Sequence, residues 1–416
     1  MSRVRYSNNS RDLNVKRGVA QSRIPELDGL RGIAILLVLL VHFLSVPGGG
    51  LASPLSRFQR LFSLCWIGVD LFFVLSGFLI GSILLNARKS PSYFRTFYIR
   101  RFFRIVPLYY IWIFGYVLLV ATAGTQLSSH EATTPQAHLS LARQFFFVQN
   151  FTFDQNLGLA FAWFAATWSL AVEEQFYLVS PFLVRFLSTR SLSIVMGSAV
   201  LAAPFIRFYV RSHMSHGALM AYALTPCRVD DLAFGMLVAI AWRNPSMRQW
   251  LSSHVTATQC LLGFLFIGVI GWWKWATDGF GSAMQLVGYT WIGLFFSVLL
   301  LAVLVRPTSL LGWVTRMRWL RELGKVAYCV YIIHLTANLF CHILITGNAP
   351  QISNWSGAFA TFCAVLLTYA IAKLFWIVLE NPLLKYGHEF RYLATPKEIQ
   401  AGEGVAGAFD SQGVAI

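Results

Sequence analysis

The chain has 416 residues, 56% hydrophobic and only 12% charged, with mean hydropathy +0.60. A soluble domain carries about 25% charged residues, so this composition excludes a soluble core with one anchor and implies a single membrane domain. The net charge of +16 raises nucleic acid as a partner, but the basic residues gather in alternate loops, which is the positive-inside pattern and speaks against nucleic-acid binding.

Residues 1–22 are polar and basic, with no apolar core of a cleavable signal, and read as a disordered cytoplasmic tail. Residues 23–388 read as the membrane domain, and 389–416, rich in Gly, Ala and polar residues, as a second disordered cytoplasmic tail. About ten spans are expected, centred near Leu37, Val74, Trp112, Ala171, Leu201, Leu237, Leu265, Phe295, Ile333 and Leu367. The spans near Ala171 and Leu201 are interrupted by Glu173, Glu174, Pro204 and Arg207. The expected fold class is therefore all-α, a polytopic bundle of about ten transmembrane helices with both termini cytoplasmic. No internal repeat stands out, which argues against an inverted-repeat transporter.

The first span, Ile24 to Phe43, holds Arg31 and His42 with ten residues between them. On a helix they share a face and lie about 16 Å apart along the axis. Asp28 precedes Arg31 by one turn. In a bilayer Arg31 lies near one surface and His42 near the middle, where an ionisable group is costly and points to function. Histidine is the side chain best suited to move a proton near neutral pH.

The second span opens Gly68-Val69-Asp70 and carries Ser76, Gly77 and Gly81, a small-residue face that favours close helix packing over ligand binding. Next comes a basic segment, Ser90 to Tyr110, with Arg95, Arg100, Arg101 and Arg104 interleaved with aromatics and followed by Pro107. It reads equally as an interfacial anchor or as a phosphate site, because the arginine fork holds phosphate oxygens in pairs.

Glu173 and Glu174 form a pair in an otherwise apolar helix. Asp70, Asp230, Asp231 and Glu380 also fall in or beside spans; buried ion pairs that fix register account for them as well as function does, with Arg31 and Arg228 as counter-charges. His334, in Tyr328 to His334, is a second intramembrane histidine that serves equally as a structural or a functional group. The six cysteines lack CxxC spacing and read as small buried hydrophobes, and no His/Cys cluster has zinc spacing.

Taken in order, these segments resemble the acyltransferase family 3 of integral membrane O-acyltransferases. Leu27-Asp28-Gly29-Leu30-Arg31-Gly32 and then His42 resemble its opening. Gly68-Val69-Asp70 through Leu79 is similar to its second-span signature, and Arg101-Phe102-Phe103-Arg104-Ile105-Val106-Pro107 to its RxxR element. Thr167 to Tyr177 resembles its WSLxVE segment, followed by Arg228 to Leu232 and Tyr331 to His334. Ala327 departs from the family, which often has serine before the tyrosine.

The resemblance implies transfer of an acyl group, usually acetyl, from cytoplasmic coenzyme A to a hydroxyl of a carbohydrate or glycolipid, in a bacterial inner membrane. Acetyl-CoA is then a donor substrate and no tightly bound cofactor is expected. Some members carry a fused extracytoplasmic domain, for which this chain is expected to be too short. His42 is the candidate general base. Arg31, with Asp28 beside it, steers or holds the donor; Arg100, Arg101 and Arg104 grip its phosphates; Glu173 orients an imidazolium or binds acceptor hydroxyls. The loop from Gly124 to Ala160, with Phe145-Phe146-Phe147, is expected to shape the acceptor entrance. A proton-coupled transporter or exporter of glycoconjugates is the alternative from another class; it needs no coenzyme A and gives no reason for the Arg101/Arg104 surface.

Overall fold

In the computed structural model, which describes residues 24–44, 54–127, 141–151, 158–275 and 279–393, the regular elements are helices. In chain order the main ones are α1 (Pro25–Leu44), α2 (Pro54–Arg60), α3 (Gly68–Ala87), α4 (Tyr93–Leu127), α5 (Trp168–Phe186), α6 (Thr189–His213) and α7 (Thr225–Arg243). Then follow α8 (Val255–Trp275), α9 (Tyr289–Val305), α10 (Arg318–Lys325), α11 (Ala327–Thr346), α12 (Trp355–Phe375) and α13 (Asn381–Glu389). All ten expected span centres fall inside long helices of this series.

Among the described residues, eight helical segments are long and apolar enough to cross a membrane. The expected ten include two more, α5 and α7, of 19 residues each. Charge and not length sets these apart: α5 carries Glu173, Glu174 and Arg185, and α7 carries Arg228, Asp230, Asp231 and Arg243. The outer helices present apolar side chains to their surroundings, with Leu118 65%, Phe205 76% and Ile267 68% exposed, as a lipid-facing surface requires. The chain is an integral membrane protein.

Inside, the charges are paired. Arg228 meets Asp70 at 2.6 Å and Asp231 at 3.3 Å, and lies 4.2 Å over the Tyr289 ring. Arg207 meets Asp230 at 2.9 Å and takes Thr290 Oγ1 at 2.6 Å. Isolated, each charge would be expensive at this depth; paired, they fix the register of α3, α6, α7 and α9. The ion-pair alternative thus accounts for Asp70 and Asp230.

Glycines set the closest helix approaches. A Cβ at Gly77 would lie 2.0 Å from the Leu232 carbonyl oxygen, which seats α3 on α7. At Gly29 it would lie 1.7 Å from the Thr315 carbonyl oxygen, so the glycines flanking Arg31 serve packing of α1 against the short helix Leu310–Thr315 and α10.

Two expectations change. The basic segment and the third span form one helix, α4, of 35 residues with Pro107 inside it. At about 1.5 Å per residue it is roughly 52 Å long, well beyond a hydrocarbon core of about 30 Å, so its arginine-bearing start needs no separate interfacial helix. The tail expected to be disordered from residue 389 is docked through residue 393: the Phe390 carbonyl accepts from Arg100 Nε at 2.8 Å, and the Arg391 carbonyl accepts from Ser92 and Thr96, each at 3.2 Å. Backbone carbonyls there meet donors at the start of α4, which composition does not reveal. Residues 1–22 and 394–416 lie outside the described residues.

The bundle has two distinct ends. One gathers Arg88 with the Leu187 carbonyl, Arg243 with Asn86 at 2.5 Å, and Arg316 with Glu26 at 3.6 Å. The other gathers Arg60 with the Lys274 carbonyl at 3.4 Å, Arg211 with the Phe280 carbonyl at 2.6 Å, and Gln59 with the Ile352 carbonyl at 3.3 Å.

Candidate active site

The apolar periodicity of α1 buries Leu30, Ala34, Ile35 and Val38 in the core and leaves Arg31 and His42 facing two separate cavities. The inner cavity, about 100 Å³, lies toward the first end. Arg31, Arg101, Arg104, Glu173, Tyr177 and Tyr331 are among the side chains that line it. Three arginines against one carboxylate give it a net cationic lining, which suits an anion.

Arg101 lies against two rings, its guanidinium carbon 5.3 Å from the Tyr177 centroid and 5.8 Å from that of Phe97. Neither Arg101 nor Arg104 hydrogen-bonds another described side chain or carbonyl, so their forks are uncommitted. Arg100 goes elsewhere: it bonds the Phe390 carbonyl and lies 5.3 Å from the Tyr392 ring, outside the cavity. The structure therefore brings Arg31, Arg101, Arg104 and Glu173 together and does not bring Arg100 to them. Asp28, 2% exposed, stays at the α1–α10 contact.

Glu173 accepts from Ser76 Oγ at 2.7 Å and from the Tyr177 hydroxyl at 3.2 Å. It faces the inner cavity and makes no hydrogen bond to His42. Those donors fix the carboxylate across α3 and α5. At the cavity wall Ser169 Oγ and the Tyr331 hydroxyl are 2.5 Å apart.

One turn beyond Tyr331 on α11, His334 is fully buried, and its Nε2 lies 3.1 Å from His42 Nδ1. The backbone fixes both tautomers. His334 Nδ1 faces the Tyr331 carbonyl at 2.7 Å, and a carbonyl only accepts, so this nitrogen carries the proton and Nε2 the lone pair. His42 Nδ1 faces the Val38 carbonyl at 2.9 Å, so it too carries a proton, shared with His334 Nε2. His42 Nε2 is left with a free lone pair, on a ring exposed to the second cavity. That is the state a general base needs.

Sequence reasoning gave His334 equal weight as a structural or a functional group, read Ser76 as part of a small packing face and Tyr331 only within a family segment, and did not single out Asn338. Contacts between residues 292 positions apart, as for His42 and His334, leave no local pattern. Among the described residues no group of three or more His, Cys, Asp or Glu could hold a metal ion. The loop expected to form the acceptor entrance is described only in part: residues 128–140 and 152–157 lie outside. Its described part packs on α4, with Tyr110 donating to the Phe145 carbonyl at 3.0 Å and Phe147 stacked on Tyr109 at 4.8 Å. Among the described residues, the cavity at His42 is walled by Gln59, Asn338, His342 and residues 349–352.

The described residues thus form a helical membrane bundle with a histidine pair between an arginine-lined cavity and a second one. An acyltransferase domain model matches residues 24–376, and the chain belongs to the acyltransferase-3 family. The peptidoglycan O-acetyltransferase OatA of Listeria monocytogenes is 27% identical over 90% of this chain and 58% of its own length. A putative peptidoglycan O-acetyltransferase of Bacillus subtilis, YrhL, is 29% identical over 88% of this chain and 55% of its own. The O-acetyltransferase OatA of Staphylococcus aureus is 25% identical over 90% of this chain and 59% of its own. The chain thus spans somewhat over half the length of these relatives. No solved structure matches.

Proposed function

We propose that the protein transfers an acyl group, acetyl in the first instance, from coenzyme A to a hydroxyl of a cell-surface or exported carbohydrate, peptidoglycan included. The observation that carries this reading is His42: a histidine whose Nδ1 is pinned by a carbonyl and a second histidine, and whose Nε2 is free beside a cavity. In the reaction Nε2 takes the proton of the acceptor hydroxyl as its oxygen attacks the thioester carbonyl. The carbon–sulfur bond breaks, and the thiolate leaves with that proton. The fixed Nδ1–H lets the His334 lone pair stabilise the positive charge that forms on His42.

Arg101 and Arg104 hold the donor's phosphates, and Arg31 holds or steers its arm along the cavity. The arm reaches His42 past Tyr331. The inner cavity contains Tyr331 and the outer one contains His42, so the wall between them is about one helical turn thick. The arginine-rich end is cytoplasmic, as are both termini, and the end at Gln59 and Ile352 is extracytoplasmic.

His42→Ala and His42→Gln remove a group that is expensive in lipid, so both proteins are expected to accumulate normally. Neither should place base-labile acetate on the cell's glycans. Wild-type levels of acetate with either variant would refute the base role. Absence of any coenzyme A binding to the purified wild-type protein would refute the donor.

A further inference from the structure

A groove of about 630 Å³ lies on the outside of the bundle, between α10 and the last turns of α12, and shares no lining residue with either cavity above. The spacing along α10 decides which side of that helix faces it. Leu320 and Gly324, one turn apart, are buried against α1: a Cβ at Gly324 would lie 2.0 Å from the Asp28 carbonyl oxygen, and one at Gly32 2.0 Å from that of Leu320. The rows Arg318–Glu322 and Trp319–Leu323 line the groove instead, with Tyr369 of α12.

Charge and apolar surface are divided within it. Glu322 is taken by Lys325 at 2.5 Å and by Lys373 at 2.9 Å. Arg318 is exposed and pairs with no described carboxylate, although Glu322 is one turn away on its own row. Three cations therefore stand against one carboxylate, and the arginine fork is uncommitted. Trp319 and Tyr369 are both exposed. On α12 an exposed apolar row, Phe362, Leu366 and Tyr369, ends at Lys373, whose Nζ lies 5.7 Å from the Tyr369 ring. The short helix before α10 exposes Leu310 and Trp313 as well. Tryptophan and tyrosine at the end of an apolar row, with cations beyond them, mark headgroup level in a bilayer.

We propose that this groove binds an anionic phospholipid, its phosphate on Arg318 and one acyl chain along Phe362 and Leu366. The guanidinium holds phosphate oxygens in pairs, and the apolar row beside it suits a chain attached to that phosphate. The excess of positive charge selects an anionic headgroup: choline would bring its own cation against Lys373 and Arg318. The volume falls within the range of about 300–1,000 Å³ that ligand sites occupy.

The test titrates the purified full chain in detergent with phosphatidylglycerol or with phosphatidylcholine and reads the first bound lipid by native mass spectrometry. Phosphatidylglycerol should bind the more tightly. Arg318→Gln should weaken it about fivefold, the effect of one cation at a membrane surface, and leave phosphatidylcholine unchanged. Arg190→Gln removes an exposed cation at the start of α6 and should change neither. Inorganic phosphate at the lipid's own concentration should not displace it. Equal affinity for the two lipids would overturn the headgroup assignment. A loss in Arg190→Gln as large as in Arg318→Gln would replace the site with a diffuse surface charge. Full displacement by inorganic phosphate would reduce it to a phosphate site without a lipid.

Discussion

Replacing His334 tests the base role proposed for His42 apart from the group that holds it. His334→Ala deletes the lone pair that accepts from His42 Nδ1 at 3.1 Å but leaves the Val38 carbonyl at 2.9 Å, so the tautomer of His42 survives. The loss falls mainly on the transition state. There Nδ1–H belongs to an imidazolium, and a hydrogen bond to a charged group contributes about 1.5–3 kcal/mol, against about 1 for a neutral one. The difference, about 0.5–2 kcal/mol, corresponds to a roughly 2–30-fold fall in turnover, at about 1.4 kcal/mol per tenfold. Donor affinity should not move, since His334 faces neither cavity's arginines. His42→Ala removes the base itself and should cost about 10²–10⁴-fold. The measurement is thiol release from acetyl-coenzyme A by protein in lipid nanodiscs with a glycan fraction as acceptor, with thermal unfolding as a control on folding. His334→Gln, which keeps an accepting oxygen, should recover part of the loss. A well-folded His334→Ala as dead as His42→Ala would refute the assignment and make His334 the base; full activity would show that the pair has no catalytic meaning.

Arg101→Ala and Arg104→Ala should each weaken coenzyme A binding about tenfold or more, with Lys only a partial replacement because a point charge lacks the fork; full rescue by Lys would reduce the site to an anchor. Arg228→Met strands Asp70 and Asp231 in the core and should cost about 3–5 kcal/mol of stability, read as a lowered unfolding midpoint in detergent, with much of it recovered when Asp70 is also changed to Asn. Glu322, on α10 and outside the spans, is met by Lys325 at 2.5 Å and by Lys373 of α12 at 2.9 Å, which hold its carboxyl down to about 2 from 4.5. A carboxyl depressed on folding stabilises above its ordinary value and loses that contribution as pH falls toward the folded one. Wild type should therefore exceed Glu322→Gln in melting temperature near neutral pH and converge with it toward pH 2; a constant gap would contradict the pairing. Cysteines placed near Lys385 and near Gln351, in a background without native cysteines, should react from opposite faces of the membrane, the first from the cytoplasm.

Much of the site is legible in sequence because lipid makes polar groups conspicuous. Arg31, His42, Glu173 and the arginine cluster stand out against an apolar background, and helical spacing puts Arg31 and His42 on one face. That spacing does not decide which edge of a broad face turns inward. Arg104 projects between Arg100 and Arg101, which differ by about 100°, and only packing of the C-terminal segment on Arg100 settles that Arg101 is the one at the cavity. Hydropathy alone passes over α5 and α7 because of their charges, which the fold meets in part from other helices: Asp70 of α3 and Arg207 of α6 pair with Arg228 and Asp230, and Ser76 of α3 donates to Glu173. The His42–His334 contact depends on how α1 and α11 dock, which the pattern of either helix alone leaves open.

The position of the histidine pair fits the acyl-transfer reading to a membrane. A charged donor and a hydrophilic acceptor cannot share one bulk phase when they belong to opposite sides. Here the arginine-lined cavity ends at Tyr331 and the outer cavity begins at His42, and the residue between, His334, is the one that bonds His42. On the acyl-transfer reading, the wall that separates the two pools is built from the group that orients the proposed base. Widening the wall would part the base from its partner; thinning it would open a leak. The buried ion pairs of Arg207 and Arg228 tie α3, α6 and α7 together, and Arg228 also lies 5.7 Å from the ring of Phe73, which lines the inner cavity.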